Sequence, residues 1–304
     1  MIVRKSPRWW ELFFVMRGSI VPHIWPQMVI VTLLSVAVTL LETHGYIRVP
    51  PIAALPFSLI GVALSIFAAF RNTASYDRWW EARKILGQMV IDARGLSRQA
   101  LAYLAADPAT ARRLALYSAA FCDTLRCLLR DEALDEAALR HLDPGERALL
   151  QASRHVPNRV LALMSTAIAG ALGRGRISPQ MAQTLEERVT ALSGDLAAAE
   201  RIKLTPLPFA YSLLLHRTVY LFCFLLPFGV ADSMGLWTPV IVAIMSYTFF
   251  GLDTLGDELV VPFGTTHNSL PMMAICRTIE ANILEDLGET ELPEVPQPVN
   301  FVLS

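Results

Sequence analysis

Residues 52–80 constrain this chain more than any other stretch. An apolar run long enough to cross a bilayer as a helix stops at Arg71 and leads into Asp77-Arg78-Trp79-Trp80-Glu81. Within it Val62, Ile66 and Phe70 recur every four residues, which places them one above another on a single helical face. Identical copies arranged around an axis would stack these side chains into apolar rings around a narrow pore. Membrane helices in general carry apolar residues at this spacing, so the row alone also fits a packing or lipid-facing stripe.

Composition places the rest of the chain around that helix. Of the 304 residues, 54% are hydrophobic and 17% charged, against about a quarter charged in a soluble domain. The apolar excess sits in two blocks near the N-terminus and two more between positions 211 and 256, with a segment of ordinary soluble composition between them. A net charge of -1 leaves no excess of Lys and Arg to neutralise phosphates, which argues against a nucleic-acid partner. Cys122, Cys127, Cys223 and Cys276 lack paired spacing and read as packing thiols in reducing surroundings. The first long apolar run follows Pro26 with no small-residue cleavage site behind a short core, so no signal peptide is expected.

Four segments of about 20 mostly apolar residues are candidates for spanning: 24–41, 52–70, 211–231 and 236–255. Basic residues flank them unevenly. Arg4, Lys5, Arg8 and Arg17 precede the first, Arg71, Arg78, Arg83 and Lys84 follow the second, and Arg201 and Lys203 precede the third, while the connections 43–51 and 232–237 carry only Arg48. The positive-inside rule then puts both termini and the middle segment in the cytoplasm. The expected organisation is a cytoplasmic segment 1–23, a transmembrane pair 24–71, a helical cytoplasmic domain 72–210, a second pair 211–256, and a cytoplasmic helix with extended tail 257–304. The fold class is all-α.

The middle segment reads as helices, with apolar residues three and four apart and breaks near Asp107-Pro108, Asp143-Pro144-Gly145 and Gly173-Arg174-Gly175. Asp143 can cap a helix starting at Pro144, and Ser178 one running from about 179 to 204. A further helix is expected over 270–287. The tail from Glu289, rich in proline, is expected to be an extended arm or disordered, extended if it packs along a neighbouring subunit.

Signatures of enzyme chemistry are missing: there is no GxSxG, Walker loop, HExxH or GxGxxG. The histidines His23, His44, His141, His155, His216 and His267 are scattered and share no metal-ligand spacing, so structural roles are expected for all six, with no metal and no cofactor. Arg217, inside the third span, is expected to snorkel or to pair with Asp253 or Asp257. Spans and spacing alone leave three classes open: a channel, a secondary transporter, and a membrane-anchored scaffold or sensor.

Several short words narrow the choice. Arg17-Gly18-Ser19-Ile20, Phe70 with Arg78-Trp79-Trp80 eight residues on, Gly175-Arg176-Ile177 with Pro179 close behind, Phe249-Phe250-Gly251 and Pro262-Phe263-Gly264 occur in the order found in bestrophins. To about residue 287 the chain resembles a bacterial bestrophin. The resemblance implies a homopentameric ion channel in the bacterial inner membrane, passing small monovalent ions, with four transmembrane helices per subunit. It implies that the second span lines a neck whose rings fall on Val62, Ile66 and Phe70, and that cytoplasmic helices form a second aperture at Gln180, or at Met181 one residue on.

Two departures qualify the likeness. Animal bestrophins have an aromatic at the central neck ring, where this chain has Ile66, and an aliphatic aperture residue, where this chain has Gln180. They also carry acidic residues after Pro-Phe-Gly that clasp calcium, whereas Thr265-Thr266-His267-Asn268-Ser269-Leu270 follows here, without the carboxylates that Ca²⁺ requires. Phe70 edges would favour anions, Val62 and Ile66 carry no preference, and bacterial relatives that conduct cations are known, so the resemblance leaves charge selectivity open.

Overall fold

The structure, a computed structural model, describes residues 1–3, 8–16, 18–46 and 54–303. Arg4, Lys5, Arg17, Arg48 and the start of the second span at Ile52 lie outside the described residues. The described chain is almost wholly helical, with α1 (Val21–Thr43), α2 (Ala54–Tyr103), α3 (Pro108–Arg130), α4 (Glu136–Leu139), α5 (Pro144–Gln151), α6 (Val156–Gly173), α7 (Pro179–Leu204), α8 (Phe209–Met234), α9 (Thr238–Val260) and α10 (Met272–Asp286). It divides into two compact units: Lys5–Trp79 with Pro206–Val261, and Trp80–Thr205 with Pro262–Ser304 and Met1–Arg4.

The first unit is the apolar one. Among the described residues, three helical runs are long and apolar enough to cross a membrane: α1, Pro56–Tyr103 within α2, and Phe209–Val260. The last is two helices, α8 and α9, folded against each other about the 3-10 turn Gly235–Trp237, so four apolar segments result. Gly235 makes the fold-back possible at φ 51°, ψ -128°, a conformation that side chains rarely adopt, and Pro239 opens the first turn of α9. α1 packs on both members of this pair. Ile24, Val31, Leu64, Val219, Phe222 and Phe250 belong to the shared core.

The second unit is built from amphipathic helices stopped and started by side-chain caps. Asp107 accepts from the Thr110 amide at 3.3 Å, and Ser178 from the Met181 amide at 3.3 Å. Asp143 and Glu146 form a reciprocal capping box at α5. Two breaks escape the sequence reading. α3 ends at Asp131, which takes the left-handed conformation at φ 55°, and Asp135 then accepts from the Ala138 amide at 3.0 Å to start α4. At 152–155 His155 plays the same part for α6. Side chains that compete locally for backbone donors mark these breaks; 131–135 holds no Pro or Gly to announce it, whereas Pro157 stands in the first turn of α6.

All four cysteines are free and buried, and the Cys276 thiol donates to Cys122 O at 3.3 Å where α10 packs on α3. The tail does not run off as an isolated arm. Val3 N donates to Phe301 O and Leu303 N to Met1 O, each at 2.8 Å, so the last residues pair with the first of the same chain.

One buried acid in this unit has no ordinary partner. Asp92 of α2 accepts from Arg188 at 3.1 Å and from Gln88 at 2.7 Å, while Asp195 of α7 is 7% exposed and its Oδ2 meets no hydrogen-bond partner among the described residues. Burial, then the neighbouring Asp92, pushes the Asp195 carboxyl up to about 7. The folded state therefore holds a proton that the unfolded chain releases near its ordinary value, and stability falls as pH rises from about 4 to about 7. Melting of the purified protein should show that fall, and Asp195→Asn should flatten it and melt higher at neutral pH.

Candidate functional site

α2 is held on one side. Leu64, Ala68, Arg71 and Ser75 are at most 2% exposed and recur at spacings of four, three and four, which is a single stripe. Val62, Ile66 and Phe70 are 59%, 50% and 66% exposed. At 100° per residue their mean direction lies roughly opposite that stripe. Small residues let α8 approach the anchored side closely. A Cβ on Gly229 would stand 2.7 Å from the Phe57 ring, and one on Gly61 would stand 3.3 Å from Phe222. Val62 and Ile66 also border an apolar groove of about 550 Å³ between α2, α8 and α9.

At its lower end the stripe becomes ionic. Arg71, 1% exposed, donates to the Asp253 carboxylate at 2.8 Å and to Asp253 O at 3.1 Å, and also pairs with Asp257. His216 Nδ1 lies 2.7 Å from the other Asp253 oxygen. Asp253 and Asp257 are four residues apart, so both carboxylates face α2 from one side of α9. Gly256 lies between them: a Cβ there would meet Asn72 Oδ1 at 2.5 Å and Arg71 Nη1 at 3.2 Å. About two turns farther along α2, Arg78 Nε donates at 2.8 Å to the carbonyl of Val260, the last residue of α9, and so satisfies an acceptor that the helix end leaves open.

This arrangement narrows one expectation and extends another. Arg217 is exposed and does not pair with Asp253 or Asp257 among the described residues. Arg71 takes both acids. His216, expected to be merely structural, joins Asp253 and Asp257 in a group whose ligand atoms lie within 4.8 Å of one another. Such spacing suits a metal ion, but the Arg71 guanidinium already donates to both carboxylates, and a second cation there would meet it at close range.

Of the other candidate residues, Arg78 and Trp79 belong to the first unit, and Trp80, Gln180, Met181, Pro262, Phe263 and Gly264 to the second. Trp80 is 47% exposed, and Trp79 stacks at 6.4 Å on Tyr76. Phe263 is 2% exposed, and Leu270 N donates at 2.8 Å to Pro262 O, closing the loop that contains Gly264. Gln180 and Met181 are both exposed in the first turn of α7, next to the buried Ile177. Thr265, Thr266 and Ser269 supply hydroxyls in the loop after Gly264, where no carboxylate stands.

The fold and these placements define an all-helical integral membrane protein. A sequence profile described as Bacterial/Fungal Bestrophin protein matches residues 1–285. A voltage-dependent anion channel-forming protein of Mesorhizobium japonicum is 40% identical over 296 residues, 97% of this chain and 95% of its own. The voltage-dependent anion channel-forming protein YneE of Escherichia coli is 40% identical over 296 residues, covering 96% of both. Among solved structures, a bacterial bestrophin homologue from Klebsiella pneumoniae matches with a TM-score of 0.83 at 36% identity, over 88% of this chain and 100% of that one. The chain belongs to the bacterial and fungal bestrophin family. The resemblance read from its short words is thereby borne out, and the relatives' names point to a channel rather than an enzyme.

The Arg71 network gives a test of packing apart from conduction. Removing one partner of a buried ion pair costs about 3–5 kcal/mol, because the other charge stays buried alone. Arg71→Met should lower the melting temperature sharply, and Arg71→Met with Asp253→Asn should recover a large part of the loss. Equal melting of the single and double variants would show that the pair carries no such penalty.

Proposed function

We propose that this chain assembles as a homopentamer in the bacterial inner membrane, with both termini cytoplasmic, and passes small monovalent ions passively. Val62, Ile66 and Phe70 form the neck, and Gln180, with Met181 beside it, forms a second aperture. The observation that carries this reading is the half-used surface of α2. One stripe is anchored within the chain, and the exposed opposite side carries three apolar rings' worth of side chains at four-residue spacing. Surface of this kind needs lipid or further copies of the chain to cover it, and family membership supports the copies. A neck lined by Val, Ile and Phe offers an ion no replacement for its water, so it gates by dewetting. Gln180 can hydrogen-bond a hydrated ion and makes the second aperture a weaker barrier.

The relatives' names carry the anion reading of selectivity, and the Phe70 ring edge adds to it. One observation favours cations. Asp77 is exposed, and none of the ion pairs found among the described residues involves it. At 100° and 1.5 Å per residue it stands within about 20° of the mean direction of the neck row and about 10 Å beyond Phe70. In a symmetric assembly it would be the first acidic ring past the neck, an arrangement that attracts cations.

Two bilayer measurements test these statements. Ile66→Ala and Phe70→Ala should each raise single-channel conductance, and unchanged currents in both would remove the neck assignment. Under a tenfold KCl gradient a fully selective monovalent pore reverses at about 59 mV, with a sign that names the ion. If the Asp77 ring sets the sign, the wild type reverses towards the potassium potential and Asp77→Asn shifts it towards chloride. Reversal at the chloride potential, unmoved in Asp77→Asn, would establish the anion reading.

A further inference from the structure

The loop after Pro262 encloses a second polar feature, within the second unit. Arg130, the last residue of α3, donates through Nε to Phe263 O at 3.3 Å and through Nη2 to Leu270 O at 3.4 Å, two long bonds to neutral acceptors. Its neighbouring acids are engaged elsewhere. Asp131 pairs with Lys203, and Glu132 accepts from Arg126 at 2.6 Å. Among the described residues no carboxylate lies within ion-pair distance of Arg130, and burial, with the Arg126 charge adding to it against the pull of Glu132, holds its pKa below the ordinary arginine value. A half-buried guanidinium with no counter-charge among the described residues is a costly arrangement.

The space beside it suits what would balance the charge. A cavity of about 140 Å³ is lined by Arg130, Thr265, Thr266 and Ser269, and is closed by Val302 and Leu303 of the paired chain ends. Ser269 is 2% exposed, and its hydroxyl lies 2.9 Å from that of Thr266. Among the described residues no acid lines the cavity. Water takes about 30 Å³ per molecule in the liquid, so the space holds at most about five waters or one small tetrahedral ion, and it is far below the range of about 300 Å³ upward seen for drug-sized ligands. A guanidinium edge with adjacent hydroxyls matches an acceptor that has several oxygens.

We propose that this cavity is a binding site for a small inorganic oxyanion of the phosphate type. Arg130 supplies the charge and a forked pair of donors, and the Thr265, Thr266 and Ser269 hydroxyls complete the shell. The paired ends of the chain form its cover. The site stands independently of the channel reading, since neither the neck nor the aperture enters it.

The probe is inorganic phosphate, titrated by calorimetry against the full-length protein in detergent at constant ionic strength. Phosphate also stabilises proteins non-specifically by exclusion from their surface, so a binding signal is read in place of melting alone. One saturable site per chain is expected, with affinity at least tenfold lower in Arg130→Gln, several-fold lower in Ser269→Ala, and partly retained in Arg130→Lys. Ser269→Ala keeps the charge and guards against a fold defect in the Arg130 variants. Sulfate should compete and chloride should not. Absence of a saturable site in the wild type, or identical titrations for wild type and both Arg130→Gln and Ser269→Ala, would overturn the proposal.

Discussion

A guanidinium with 1% exposure, enclosed among apolar helices, is the interaction on which the apolar unit turns. Arg71 can sit there because Asp253 meets it with both a carboxylate and a carbonyl, Asp257 closes the fork, and Gly256 clears the space. Nonpolar contacts hold Leu64 and Ala68 against the bundle but tolerate small rotations. A buried, geometrically specific ion pair does not, since each misalignment leaves charge without a partner. The pair thus fixes the rotation of α2, and the rotation decides which residues remain outside. With Leu64, Ala68, Arg71 and Ser75 inside, Val62, Ile66 and Phe70 are forced outward.

That outward row explains why a single chain leaves its helices unfinished. Leu59, Val62, Ile66, Phe67 and Phe70 on one helix, and Leu214, Leu221 and Leu225 on another, are each at least 44% exposed. Lipid accounts for some of this surface. A helix anchored over residues 64–75 on a single narrow stripe invites further copies of itself on the other side, which is the assembly proposed above. The Arg78 contact with the end of α9 and the closed loop after Pro262 show a related economy: residues that read as family words serve to finish helix ends and close turns.

Much of this was legible beforehand, for physical reasons that differ by element. Caps such as Asp107, Asp143 and Ser178 are local, with donor and acceptor within three residues, so the order of the helices followed from the chain itself. The four apolar segments were legible by length. The choice between His216 and Arg217 was not. Both stand beside the buried Leu215, and the stripe Leu215, Val219, Phe222, Leu226 decides the matter: His216 lies about 100° from Leu215 and reaches Asp253, whereas Arg217 lies about 200° away and points outward. Reading that stripe from burial-prone residues would have found the pairing. The cavity beside Arg130 was out of reach, because it brings together positions near 130, 265 and 302 that no periodicity connects.

The central claim is that the face of α2 opposite the Arg71 stripe lines a water-accessible axis. The most direct measurement is thiol accessibility at Ile66→Cys, with Leu64→Cys as its partner on the buried stripe; the four native cysteines are buried, so reagent is directed to the introduced thiol. A charged, membrane-impermeant thiosulfonate applied from water should react at Ile66→Cys and reduce the current, leaving Leu64→Cys untouched. Reaction of Ile66→Cys with a lipid-soluble maleimide alone, with the current unchanged, would contradict the account and place this face against lipid.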